Sequence, residues 1–179
     1  MFRIFFHMVC YYIVWFTCIL SASHQYYWLG LVTSIFFTSI QYFIQVKANQ
    51  SRHLLILIGS LTLTGFVIDS IFAKYNLLVF QANPFYKNLS PPWMIALWLN
   101  FSTVLYACLK KYFLKYKILA FLSLFGFPLA YYVGVSLGAA SLPNGNIGLL
   151  IIGVTWSIVL PGILYAYEKL LDNQNNIPN

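Results

Sequence analysis

Acidic side chains are nearly missing from this sequence. Asp69, Glu168 and Asp172 are its only three carboxylates, and charged residues of all kinds make up 7% of 179 residues. Soluble domains average about 25% charged residues, so this composition cannot build a water-facing surface. With one acid at Asp69 and two near the C-terminus, no paired carboxylates are available for general acid and base roles. Cysteine is also sparse: Cys10, Cys18 and Cys108 fall in apolar runs with no CxxC, and His7, His24 and His53 are scattered. That pattern gives no metal-ligand spacing, so buried free thiols are expected, with no metal and no other cofactor. A Ser-His-Asp set, an HExxH and a Gly-rich phosphate loop are all lacking, which removes the common hydrolase and nucleotide signatures.

Apolar residues are abundant, at 61% of the chain with 20% aromatic. Lipid solvates such surface where water does not, so the expected class is an integral membrane protein. The net charge of +7 would suit nucleic acid in a soluble domain. Here the Lys and Arg lie between apolar runs, which marks them as orientation signals, and no nucleic-acid partner is expected.

A hydrocarbon core about 30 Å thick needs about 20 apolar residues in a helix. Six stretches meet this need, at roughly 4–22, 26–46, 54–73, 93–113, 118–135 and 147–167, with polar or turn-forming breaks such as "SASHQ", "NPFYKNLSPP" and "SLPNGN" between them. The expected fold is all-α, a polytopic transmembrane bundle of about six spans. Residues 1–170 form a single membrane domain and 171–179 a short polar tail. With a cytoplasmic N-terminus, Arg3, Lys47, Arg52, Lys110, Lys111, Lys115, Lys117 and Lys169 fall inside, against Lys74 and Lys87 outside. Eight against two places both termini in the cytoplasm. The basic start and small-residue end of the first stretch also resemble a cleavable signal. Its length and its load of Tyr, Trp and Phe favour a retained helix instead. Tyr26, Tyr27, Trp28, Trp93, Tyr112, Tyr131, Tyr132 and Tyr167 stand near span ends, where interfacial aromatic belts form.

Within the spans, small and polar residues recur at helical spacing. Gly59, Thr62, Phe66 and Asp69 do so in the third, Ala96, Asn100, Thr103 and Ala107 in the fourth, and Phe127, Tyr131, Gly134 and Gly138 in the fifth. Close helix packing in lipid accounts for most such positions. Asp69 asks for more, since a carboxylate lying roughly 6 Å below a helix end is costly unless hydrated, paired or protonated. Two readings stand: Asp69 hydrates at the interface or pairs with Lys74, or it faces a polar pocket open to the outer side. Ser70, Asn100 and Tyr131 would join it there, while Pro128 frees the carbonyl of Leu124 in the fifth helix.

The pattern "GFVIDS…PPWMIALWLNFSTVL…GFPLAYYVGVSLGAA" resembles DUF2878, a family of bacterial membrane proteins of unknown function, over roughly residues 9 to 142. The specific matches are Gly65 with Asp69-Ser70, Pro92-Trp93 with Leu97-Trp98, and Gly126, Pro128-Leu129, Tyr131, Gly134 with Leu137-Gly138-Ala139. Trp15-Phe16 and Trp28-x-Gly30 match its N-terminal portion, whereas Tyr106 stands near a position where the family often has Asn. The resemblance implies a multi-pass protein of the bacterial inner membrane and no particular activity. With its motifs, the candidate substrate-binding set becomes Asp69, Ser70, Trp93, Trp98, Asn100, Pro128 and Tyr131.

Three function classes follow. The first is a lipid-related or small-molecule binding or transport protein, taking a lipid or small polar ligand in the pocket around Asp69. The second is a membrane enzyme acting on lipids with Asp69 as general base. The third is an accessory or scaffold protein whose helices bind membrane-protein partners. The bilayer itself is a partner in all three.

Overall fold

Each apolar stretch becomes a helix, because only a helix satisfies its own backbone hydrogen bonds in lipid. The computed structural model describes residues 2–45, 51–109 and 115–175. Among these lie α1 (Phe2–Ser23), α2 (Leu29–Gln45), α3 (Ser51–Lys74), α4 (Pro92–Leu109), α5 (Tyr116–Ser136) and α6 (Gly145–Asn175). The two-residue strands β1 (Val79–Phe80) and β2 (Ala140–Ser141) complete the order. The protein is an all-α bundle in which α1, α3, α5 and α6 are long and apolar enough to cross a membrane. The shorter apolar helices α2 and α4 rise about 26–27 Å at 1.5 Å per residue. Helix α6 continues through Pro161 and beyond the expected end of the sixth span. Lys47, Lys110, Lys111 and Tyr112, which enter the charge count and the aromatic belt above, lie outside the described residues.

Helix α4 is the centre. It packs on α1, α2 and α3, while α5 and α6 pair with each other and meet the rest partly through α3. Buried on nearly every side, α4 has no single apolar stripe. Helices α1, α3 and α5 close at one end of the bundle in the same way. Gln25, Asn76 and Gly138 turn left-handed with φ of 64°, 56° and 82°. The N–H groups of Tyr26, Leu77 and Ala139 then return to the carbonyls of Ser21, Phe72 and Gly134 at 2.8, 2.9 and 3.0 Å. These bonds cover terminal carbonyls that lipid would leave bare. Gly138 therefore lies past the end of α5, yet it and Gly134 both face α1, where an added Cβ would meet Ser23 Cβ at 3.5 Å and Ile19 Cδ1 at 3.3 Å.

The connections meet at that same end. Strands β1 and β2 pair antiparallel, with Val79 opposite Ser141 and Phe80 opposite Ala140. Gln25 Nε2 donates to Gln81 Oε1 at 3.3 Å, bringing in the α1–α2 turn. At the opposite end, the Arg3 guanidinium donates to the Ile44 carbonyl. Tyr26, Tyr27, Trp28 and Tyr132 are exposed near the strand end, as an aromatic belt requires. Trp93 and Tyr167 depart from that expectation and are buried in the bundle.

Candidate functional site

Asp69 is fully buried on α3. One oxygen accepts from Trp98 Nε1 on α4 at 2.7 Å, and the other accepts a short hydrogen bond from the Tyr131 hydroxyl on α5. One carboxylate thus ties three helices together. Lys74 is exposed, with its ammonium 6.0 Å from the Tyr75 ring centroid. The local sequence explains the geometry. Gly65 stands one turn before Asp69, and a Cβ there would collide with the Trp98 indole. The bare backbone lets the ring lie against α3, which carries its N–H to the carboxylate one turn further on.

Trp98 is also stacked. Its ring centroid lies 4.3 Å from that of Trp156 on α6 and 5.6 Å from that of Phe127 on α5. Phe127 and Trp156 are 4.9 Å apart at 22°. The stack joins α4 to the α5–α6 pair and leaves the indole little freedom. The Trp156 N–H approaches the Tyr131 oxygen without completing a hydrogen bond. Pro128 acts on the backbone instead. It frees the Leu124 carbonyl, and Gly153 of α6 is pressed against both, so that an added Cβ would lie 2.6 Å from the carbonyl and 2.8 Å from the proline ring.

The seven sequence candidates divide into groups. Asp69, Trp98 and Tyr131 come together. Ser70 donates to the Phe66 carbonyl at 2.7 Å and accepts from the Ser90 N–H at 3.0 Å, fastening the α3–α4 connection. Trp93 Nε1 holds the Gln81 carbonyl at 2.9 Å in the same connection. Asn100 faces away from Asp69 and donates to Thr38 Oγ1 at 2.9 Å and Gln41 Oε1 at 2.7 Å on α2. The third-span stripe also shifts: Gly59 has open space around it, while Leu57, Leu61, Gly65 and Asp69 form the buried line.

Asn100 belongs to a seam that sequence reasoning missed. Ser34, Thr38, Gln41 and Gln45 are all buried along one side of α2. Ser34 donates to the Ala96 carbonyl at 2.7 Å, Gln45 to the Thr103 carbonyl at 3.1 Å, and Gln41 to the His7 carbonyl at 3.1 Å. The signal was present as polar residues at spacings of four, three and four inside an apolar run. Such interhelical bonds serve as glue in lipid.

The cavity beside Asp69 is apolar, unlike the outward polar pocket expected. A groove of about 270 Å³ runs between α1, α4 and α5, with Tyr11, Trp15, Trp98, Phe101, Phe127 and Tyr131 among its walls. Past Tyr131, toward the strands, it shrinks to about 50 Å³ between Phe80, Trp93, Gly134 and Ala140. Asp69 lies behind this wall, with Tyr131 and Trp98 between it and the groove. A phenol thus lines an apolar groove with a carboxylate directly behind it, an arrangement able to hold a polar group or pass on a proton. Among the described residues, no three His, Cys, Asp or Glu side chains cluster as metal ligands.

No curated protein and no solved structure shows significant similarity to the chain. Its sequence from residue 4 to residue 162 matches the family described as "Protein of unknown function (DUF2878)", so this apolar bundle, with Asp69 joined to Trp98 and Tyr131, belongs to the DUF2878 family.

Proposed function

We propose that this membrane protein binds a lipid-like molecule, lodging a single apolar chain in the groove between α1, α4 and α5. The supporting observation is the groove itself, an apolar space of about 270 Å³ with several aromatic side chains in its wall, the Asp69-bound Tyr131 among them. That volume lies just below the usual range of about 300–1,000 Å³ for ligand pockets, which suits one alkyl chain better than two. The setting proposed is the bacterial inner membrane, with both termini cytoplasmic. Gly126 offers a direct test, because it lines the groove and a Cβ added there meets nothing within 4 Å. Gly126→Phe should fill the groove while the bundle still folds. A long-chain probe carrying a mid-chain diazirine should label α1, α4 and α5 in the unaltered protein, and Gly126→Phe should cut that labelling severalfold. Labelling spread over lipid-facing positions and indifferent to Gly126→Phe would sink the proposal.

A further inference from the structure

The hydrogen bonding at Tyr131 restricts what the groove ligand carries. A phenol has one proton, and with Asp69 ionised that of Tyr131 is donated to the carboxylate. The other carboxylate oxygen is taken by Trp98, whose indole is donor only. The Trp156 N–H approaches the same oxygen without completing a hydrogen bond, so the Tyr131 oxygen, on a side chain that lines the groove, keeps acceptor capacity. A ligand group meeting it must bring a proton, which an ester, ketone or ether cannot do. An ionised carboxyl is excluded twice, since it brings no proton and approaches the Asp69 carboxylate behind the phenol.

Space limits the head further. Beyond Tyr131 the space narrows to about 50 Å³ between Phe80, Trp93 and Ala140. So narrow a space suits a small head such as a hydroxyl better than a phosphodiester. In the other direction, the lining from Tyr131 to Leu119 follows about 18 Å of α5. That length accommodates an extended chain. We infer that the groove ligand is a single-chain alcohol, its hydroxyl donating to the Tyr131 oxygen and its chain running toward Leu119. This rests on the groove reading above and assigns its substrate class.

Asp69→Asn supplies a reversal test. Trp98 can only donate, so it holds the new amide by its oxygen and turns the amide NH₂ toward Tyr131. The phenol then accepts from that NH₂, and its own proton is released toward the groove. The inference therefore predicts opposite preferences in the two proteins. The measurement is competition by a long-chain primary alcohol, its methyl ether and the fatty acid of equal chain length at alkaline pH, against a fluorescent alkyl probe on purified protein. The unaltered protein should prefer the alcohol over the ether by about tenfold, the effect of one hydrogen bond of roughly average worth, with the acid weakest. Tyr131→Phe should bind both alcohol and ether and lose the preference, and Asp69→Asn should favour the ether. Equal binding of alcohol and ether by the unaltered protein, or an unchanged preference in Asp69→Asn, would overturn the alcohol assignment and leave the groove standing. Probe binding that Gly126→Phe does not reduce would instead overturn the groove reading itself.

Discussion

At the scale of single residues, the energetics turn on two donors sharing one acceptor group. Removing Asp69 leaves the Trp98 N–H and the Tyr131 hydroxyl without their partner in a dry interior. Each stranded group costs roughly 1–3 kcal/mol, so Asp69→Ala or Asp69→Leu should lower the thermal or denaturant midpoint clearly. Asp69→Asn, which still pairs with both neighbours, should be much milder. A carboxylate that merely faced lipid headgroups would give the reverse, because its removal would be neutral or stabilising. Gly65 is the second sensitive position. Gly65→Ala drives a methyl into the Trp98 ring, and overpacking of this kind costs roughly 1–3 kcal/mol. Near-ultraviolet circular dichroism should show the aromatic stack disturbed. Wild-type spectra and stability in Gly65→Ala would contradict the packing described here.

At the scale of helices, α2 and α4 are held by the seam around Asn100. Interhelical hydrogen bonds in membranes average about 0.6 kcal/mol and reach about 1.7. Asn100→Leu loses bonds to Thr38 and Gln41 and strands the Gln41 oxygen, so a loss of roughly 1–2 kcal/mol is expected. Chain-probe binding should remain, because Asn100 does not line the groove. Loss of probe binding in a variant that still folds would bring Asn100 back into the site. Pairing of α5 with α6 has a backbone origin instead, in the Pro128 kink and the close approach of Gly153.

For the whole molecule, the connections at 24–28, 75–91 and 137–144 lie at one end, tied by β1–β2 pairing and by Gln25 on Gln81. The positive-inside count of the sequence assigns this as the outer end in the orientation proposed above. Tyr86 is 83% exposed and Asn144 is also exposed, so cysteines placed at either should react with an impermeant maleimide on intact cells. Ser90 is buried and fully covered, which makes it unsuitable for the same purpose. Protection of both Tyr86→Cys and Asn144→Cys would reverse the assigned orientation. Reaction of only one would contradict the pairing of the two connections.

Membership of the membrane class, the six helices and the unusual placement of Asp69 were legible in the residues themselves. Long apolar runs have one solution in lipid, and a lone carboxylate inside one is conspicuous. The pairing of Asp69 with Tyr131 was within reach of sequence reasoning because depth along a helix follows from residue count. Depth does not say which way a side chain points around the axis. Asn100 and Asp69 share a layer, yet α4 turns Asn100 toward α2 and Trp98 toward α3. That rotation is set by how Gly65 admits the Trp98 ring, a contact between segments far apart in the chain. The groove had no sequence signature for the same reason, since it is the space left where α5 stands apart from α1 and α4. Composition and periodicity thus determined the medium and the helices. Only the packing of helix against helix decided that Asp69 lies behind a phenol at an apolar groove, because the azimuth of each helix is a property of its neighbours.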